Sequence, residues 1–345
     1  MKTALVTGGS GFFGGILKRK LLDSGAAVVN IDLQDDEEKH PGLISIKGDI
    51  RNAALMERIY SEHRFDAVFH CAAILAHATS DKNFLWTSNV DGTRMVAEGA
   101  RRHSVSHFVF ISSNCLWGKG YRRPITEEEP PAPVEIYGRS KWEGEKILQS
   151  FQGDLNVVSI RSPTIIDHGR LGLLAILFEF IDEGRKVWAV GGGGNRYQFI
   201  YAQDLADACI RGASFPRTDI FNIGSDNVKS IREIYQYVIE RAGTGARVAT
   251  LPKDSTLLAM RIAHHLRISP LGPYHYKMIA EDFLFDTRKI KSDLNWRPTL
   301  TNEEMLHRSY VYYQENRRAI EARTNVSAHK QAAKMGVIRL LKWLS

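Results

Sequence analysis

The segment Thr7-Gly8-Gly9-Ser10-Gly11-Phe12-Phe13-Gly14 limits the possible folds of this chain more than any other. Its glycines satisfy both the GxGxxG and the GxxGxxG spacing, between an apolar run at 4–7 and a helically periodic stretch at 16–22. Glycines in that position permit a tight strand-to-helix turn and a close approach of backbone to a phosphate. The helix that follows would offer unpaired N–H groups and a positive dipole end to that anion.

The surrounding pattern agrees. Six short apolar runs, at 4–7, 27–32, 43–47, 67–70, 108–112 and 157–160, alternate with helical segments such as 90–101. Continuous apolar strands between helices belong in a parallel sheet covered on both faces, and right-handed crossovers make it a doubly wound α/β (Rossmann) fold. After Arg161 the rhythm breaks. A helix is expected over 171–181, a glycine run follows at 191–194, and 199–209 reads as a strand-to-helix return to the sheet. Further on, 231–242 reads as a helix, 257–279 as a mixed apolar segment and 283–298 as a strand then a helix. The expected organisation is a nucleotide-binding domain over 1–165 with a return segment near 196–225. A smaller, interwoven substrate-binding region takes 166–195 and 226–316, and a basic tail takes 317–345.

Composition narrows the functional classes. The net charge of +7 is concentrated in the tail, where 317–345 carries seven Lys and Arg against one Glu. The remainder is near neutral, so nucleic acid is not an expected partner. Three isolated cysteines, Cys71, Cys115 and Cys209, have neither disulfide nor metal-ligand spacing. No metal is expected, and a reducing cytoplasm suits the chain. The start reads as a strand, without a leader, and no run reaches the roughly 18 apolar residues of a membrane span. Within the tail, Val337, Leu340, Leu341 and Leu344 share one helical face, with Arg339 and Lys342 opposite. Such a basic amphipathic stretch suggests peripheral contact with the inner face of a membrane, or docking to a partner.

Asp32 ends the second apolar run, eighteen residues beyond Gly14. A carboxylate there accepts hydrogen bonds from ribose hydroxyls and repels a 2′-phosphate. No Lys or Arg occurs in 33–38 to receive such a phosphate, so NAD is the expected cofactor.

These residues, with Asp49-Ile50-Arg51, His70-Cys71-Ala72-Ala73, Asn89-Val90-Asp91-Gly92-Thr93, Ser112-Ser113, Tyr137-Gly138-Arg139-Ser140-Lys141 and Asn295-Trp296-Arg297-Pro298, carry a resemblance. The chain is similar to the extended short-chain dehydrogenases/reductases, in the NAD-dependent epimerase/dehydratase family, from residue 3 to about residue 300. The resemblance implies that Asp49 and Ile50 contact adenine and that Ala72 and Ala73 line the cofactor cleft. It makes Asn89 a structural residue. Gly8, Gly11, Phe12, Phe13, Gly14, Asp32 and Pro163, with Tyr137 and Lys141, complete the implied cofactor site.

The chemistry can also be reasoned from spacing. Residues i and i+4 lie on one helical face, so Lys141 sits one turn from Tyr137. A neighbouring ammonium and a nicotinamide cation would both lower the pKa of the phenol, fitting Tyr137 for general acid/base work on a hydroxyl. Ser113, after the fifth strand, can hydrogen-bond the reacting oxygen. The resemblance selects Ser113 over Ser112, and Trp117 stands where the family pattern has Tyr.

Substrate candidates are His77, Asn114, Thr164 and Arg196. The resemblance implies a nucleotide-linked sugar handled through a keto intermediate. Arg161-Ser162-Pro163-Thr164 stands where such epimerases carry Asn after the sixth strand, and Arg196, which could meet a diphosphate, is one residue out of register. The alternative substrate is a lipid alcohol, handled by a 3β-hydroxysteroid-type dehydrogenase, because 257–276 could wall a lipid-sized pocket. A homodimer through helices near 89–102 and 137–149 is expected from the family.

Overall fold

The computed structural model describes residues 1–76, 78–266, 268 and 272–321. In the first half, β1 (Thr3–Thr7), α1 (Phe12–Asp23), β2 (Ala27–Asp32), β3 (Leu43–Lys47), α2 (Ala53–Glu62) and β4 (Ala67–His70) lead off. They are followed by α3 (Lys82–Asn89), α4 (Asp91–Arg102), β5 (His107–Ser113), α5 (Ile136–Gln149) and β6 (Asn156–Ser162). The six strands fall on the six apolar runs to within two residues.

The second half holds β7 (Thr164–Ile166), α6 (Leu174–Asp182), β8 (Lys186–Val190), β9 (Phe199–Tyr201), α7 (Ala202–Gly212) and β10 (Asp219–Asn222). Then come α8 (Ile231–Ala242), β11 (Arg247–Leu251), α9 (Lys253–His265), α10 (Pro273–Met278), α11 (Arg288–Asp293) and α12 (Asn302–Glu321).

Seven parallel strands form one sheet in the order β10-β6-β5-β4-β1-β2-β3. Side chains alternate between faces along each strand. In β1, Ala4 and Val6 join a core with Leu17 and Leu21 of α1 and Leu205 of α7. Leu5 joins the opposite core, with Met56 and Ile59 of α2, Val96 of α4 and Ile147 of α5. Both faces are covered, and that is why the strands read as unbroken apolar runs.

The second half builds a lobe. Phe178 of α6, Val238 of α8 and Tyr310 of α12 share its core. Parallel strands β8 and β11, which sequence patterning did not reveal, pair beside it. Two expectations are corrected here. Phe199–Tyr201 pairs with β7 in a separate two-stranded sheet, and the strand that rejoins the main sheet is β10, on β6. Phe283 and Phe285 make only isolated bridges, to Tyr197 and Ile125. Both rings are buried among Trp117, Tyr274 and Met278, so the apolar run Phe283-Leu284-Phe285 records burial in an aromatic cluster and not a ladder. Nearby, Asn295 takes a left-handed conformation (φ 47°), which Asn tolerates, and turns Trp296 into the core. The Trp296 indole N–H donates to the Asp204 carbonyl at 2.8 Å.

Candidate active site

The loop between β1 and α1 has the close approaches that its glycines anticipate. Gly8 has φ +75°, and a Cβ there would lie 2.7 Å from the Ala72 nitrogen, so the loops after β1 and β4 meet at the base of the cleft. A Cβ on Gly14 would fall 2.1 Å from the Gly8 carbonyl oxygen. Asp32 stands at the end of β2, where its carboxylate accepts from the Ser10 N–H at 3.0 Å and the Gln34 N–H at 2.9 Å. Asp49 receives the Arg51 guanidinium at 2.6 Å, which is the main cause holding its pKa below the usual carboxylate value, and Ile50 is buried.

A buried lysine organises the acidic loop after β2. Lys18 of α1 is 1% exposed, and its Nζ lies 2.6 Å from Asp36 Oδ1 and 3.1 Å from Glu38. Asn30 and Ser45 donate to the same Asp36 carboxylate at 2.8 and 2.9 Å. Periodicity marks Lys18 only as an interior helix position, so neither its burial nor its partners could be read from the sequence.

Ser113, Tyr137 and Lys141 come together at the carboxyl edge of β5. The Ser113 hydroxyl accepts from the Cys115 N–H at 3.1 Å, capping a short turn over Asn114–Leu116, and also hydrogen-bonds the Tyr137 phenol. Gly138 lets α5 seat against that turn, because a Cβ there would fall 2.1 Å from the Cys115 carbonyl oxygen. Asn89 fixes the start of α5. Its amide spans Ile74 N at 2.7 Å, Ile74 O at 3.0 Å and Ser140 Oγ at 3.0 Å, and Ser140 donates to the Tyr137 carbonyl at 2.8 Å. Behind it, buried His70 bridges Thr7 and Thr93 at 2.7 and 2.8 Å; burial lowers its pKa to about 3, so it stays neutral.

Lys141 donates to the Ile111 carbonyl at 2.8 Å and lies over the Phe110 ring. Burial lowers its pKa to about 8, against the nearby Cys71 and Glu145. The pKa of the Tyr137 phenol shifts in the other direction. Burial raises it above 10, while the Ser113 hydrogen bond and the Arg170 guanidinium pull it down. Arg170 was not a sequence candidate. It arrives from the segment between β7 and α6, within electrostatic reach of Tyr137 and 5.8 Å from the Phe12 ring centroid.

Of the substrate candidates, the structure brings Asn114 and Thr164 together and leaves Arg196 out. Arg196 is exposed, its backbone N–H tied to Asp282 at 2.6 Å, and the neighbouring Tyr197 turns inward instead. Asn114 Nδ2 donates to the Tyr197 hydroxyl at 2.6 Å, which also pairs with the Tyr274 hydroxyl at 2.8 Å and hydrogen-bonds Thr164. Burial pushes the Tyr197 phenol up to about 12 and the Cys115 thiol to about 12, so this wall is uncharged near neutrality. Pro163 is backbone between β6 and β7, its carbonyl accepting from Ser162 at 3.0 Å. Arg161 is structural, clasping Glu145 at 2.8 Å and stacking on Trp117. His77 and the stretch 322–345, including the tail's apolar face, lie outside the described residues.

This fold with a Ser-Tyr-Lys group at its carboxyl edge defines an enzyme of the extended short-chain dehydrogenase/reductase type. Residues 4–224 match the NAD dependent epimerase/dehydratase family, and the chain belongs to it, with NAD as cofactor. It is 36% identical over 345 residues to the y4nG protein of Sinorhizobium fredii, across 99% of this chain and 86% of that protein. It is 30% identical over 258 residues to a UDP-glucose 4-epimerase of Mycolicibacterium smegmatis, across 69% of this chain and 82% of that enzyme. Its fold is similar to that of the Thermotoga maritima UDP-glucose 4-epimerase solved with UDP-glucose. The TM-score is 0.76 at 23% identity, covering 91% of this chain and 99% of that one.

Proposed function

We propose that the chain interconverts nucleotide-linked sugars through a keto intermediate, with Tyr137 as acid/base. The observation that carries this reading is the convergence of the Ser113 hydroxyl and the Arg170 guanidinium on the Tyr137 phenol, with Lys141 one turn on. Tyr137 takes the proton of the sugar hydroxyl as hydride leaves the same carbon, and returns it when hydride comes back. Ser113 donates to the reacting oxygen in both directions. NAD supplies the hydride acceptor and, as a nicotinamide cation, further favours the phenolate.

Gly8, Gly11, Phe12, Phe13 and Gly14 would hold its pyrophosphate, and Asp32 the adenosine ribose. Asp49 and Ile50 would meet the adenine, with Ala72, Ala73 and Pro163 lining the cleft. The backbone cradle that a Cβ would fill at Gly8 and Gly14 supports this. Asn114, Thr164 and Tyr197 would face the sugar, a neutral wall suited to hydroxyl groups. The relatives that act on UDP-sugars support the substrate class. A homodimer through α4 and α5 belongs to the same reading, and sedimentation velocity checks it.

The test is thermal unfolding with saturating NAD and, in turn, UDP, GDP, CDP, TDP and a solubilised steroid. A ligand at about 100 times its Kd adds roughly 2.7 kcal/mol. One nucleoside diphosphate should stabilise the protein. Stabilisation by the steroid alone would replace this reading with a lipid-alcohol dehydrogenase.

A further inference from the structure

Among the described residues, eight large apolar side chains stand out as exposed, and five of them crowd into one stretch: Leu258, Ile262, Leu266, Ile268 and Ile279. The other three, Met1, Leu33 and Ile44, lie elsewhere in the sequence. Leu258, Ile262 and Leu266 are 58%, 53% and 63% exposed and spaced by four, so they form one stripe along α9. The buried residue of that helix is Ala263, and its packing partner is α10. A contiguous apolar stripe on an otherwise solvated helix marks an interaction surface.

The charge around the stripe says what kind. From residue 258 to 280 the chain has Arg261, Arg267 and Lys277, three histidines and no carboxylate. Arg261 and His265 flank the stripe and are exposed. The flanking carboxylates are Asp254, exposed in the first turn of α9 one turn before Leu258, and Glu281 and Asp282, which are engaged by Lys253 Nζ at 2.8 Å and the Arg196 N–H at 2.6 Å. A second copy would bring one net cationic face against another, since 253–280 holds four Lys and Arg against Asp254. The chain's own end is also basic, with seven Lys and Arg against one Glu over 317–345. Both would meet like charge with like, whereas an anionic surface complements the face.

We propose that α9 docks this enzyme on an anionic lipid bilayer, lying in the headgroup plane with Leu258, Ile262, Leu266 and Ile268 at the acyl boundary and Arg261 on lipid phosphates. No described helix is long and apolar enough to cross a membrane, so the contact is peripheral. It also lies close to the candidate site in the fold. Helix α10, packed on α9, carries Tyr274, which meets Tyr197 at 2.8 Å. Docking would bring the substrate side toward the bilayer.

The test is cosedimentation of the full-length, NAD-saturated protein with vesicles of phosphatidylcholine alone or mixed equally with phosphatidylglycerol. Binding should be at least tenfold tighter to the anionic vesicles. The double variant L258E/I262E should lose that binding tenfold or more while keeping its Tm and NAD affinity. The tail variant L340E/L344E should keep most of it. Equal or absent binding to both vesicle types overturns the proposal. So does loss of binding in the tail variant alone, and so does an L258E/I262E protein that still binds vesicles. If L258E/I262E instead changes the sedimentation coefficient with vesicle binding unaltered, a second copy covers the stripe and lipid does not. None of these readouts depends on the sugar substrate.

Discussion

Tyr137 is held under opposing influences. Burial raises its pKa, and Ser113 and Arg170 lower it. Tyr137→Phe keeps the ring's packing and removes only the titrating hydroxyl. Turnover should fall by roughly 10²–10⁴-fold while NAD affinity, measured by titration calorimetry, stays within about twofold. Lys141 gives the pH signature. Its charge is full well below about pH 8, the value to which burial lowers it, and is lost above that. If the ammonium favours the phenolate, kcat should decline as pH rises through about 8. Lys141→Arg, which keeps its charge, should move that limb upward; an unmoved limb would assign it to another group.

The elements show which parts of the design the sequence reveals. Strands β1, β2, β4, β5 and β6 were legible because they are buried on both faces and read as apolar runs, and the exposed edge strand β3 was marked by Leu43, Ile44 and Ile46. The glycine loop was legible because its spacing has a strict backbone cause. By contrast, β8 and β11 are short and half-buried, without a distinctive period, and the roles of Arg170, Tyr197 and Lys18 depend on contacts across the fold. Arg196 illustrates the limit. In the sequence it offers a charge beside the glycine run, but its side chain is exposed while Tyr197 next to it turns inward.

Two predictions belong to elements. Gly138→Ala would press a Cβ onto the Cys115 carbonyl and displace α5, so both Tm and kcat should drop, checked by calorimetry and steady-state kinetics. Lys18→Met would strand the Asp36 carboxylate inside the loop after β2 and should cost about 3–5 kcal/mol in urea unfolding. Burial opposes ionisation of Asp36, yet the bonds from Lys18, the Glu38 N–H and Ser45 hold its pKa below the ordinary value. Its contribution to stability is therefore present above about pH 4 and fades as pH falls further, an acid limb that Lys18→Met should flatten.

At the scale of the molecule, Asn302 joins the lobe to the sheet. It is fully buried at the start of α12, accepts from Phe199 N–H at 3.0 Å and Ser225 Oγ at 2.6 Å, and donates to the Tyr197 carbonyl at 2.8 Å. Asn302→Ala would leave three polar groups unpaired and should destabilise the whole chain by about 3–5 kcal/mol in a single unfolding transition.

The chain passes from sheet to lobe and back more than once. It leaves after β7, returns through β9 to β10, leaves again for α8 to α10, and returns with α11 before α12 closes the lobe. No single crossover between two related genes can therefore exchange one lobe for another intact. Inheritance of a new specificity is confined to small steps, such as a residue swap at the wall around Tyr197 or a lengthened connection after α10. The sheet and its glycine turn would pass unaltered from one lineage to the next.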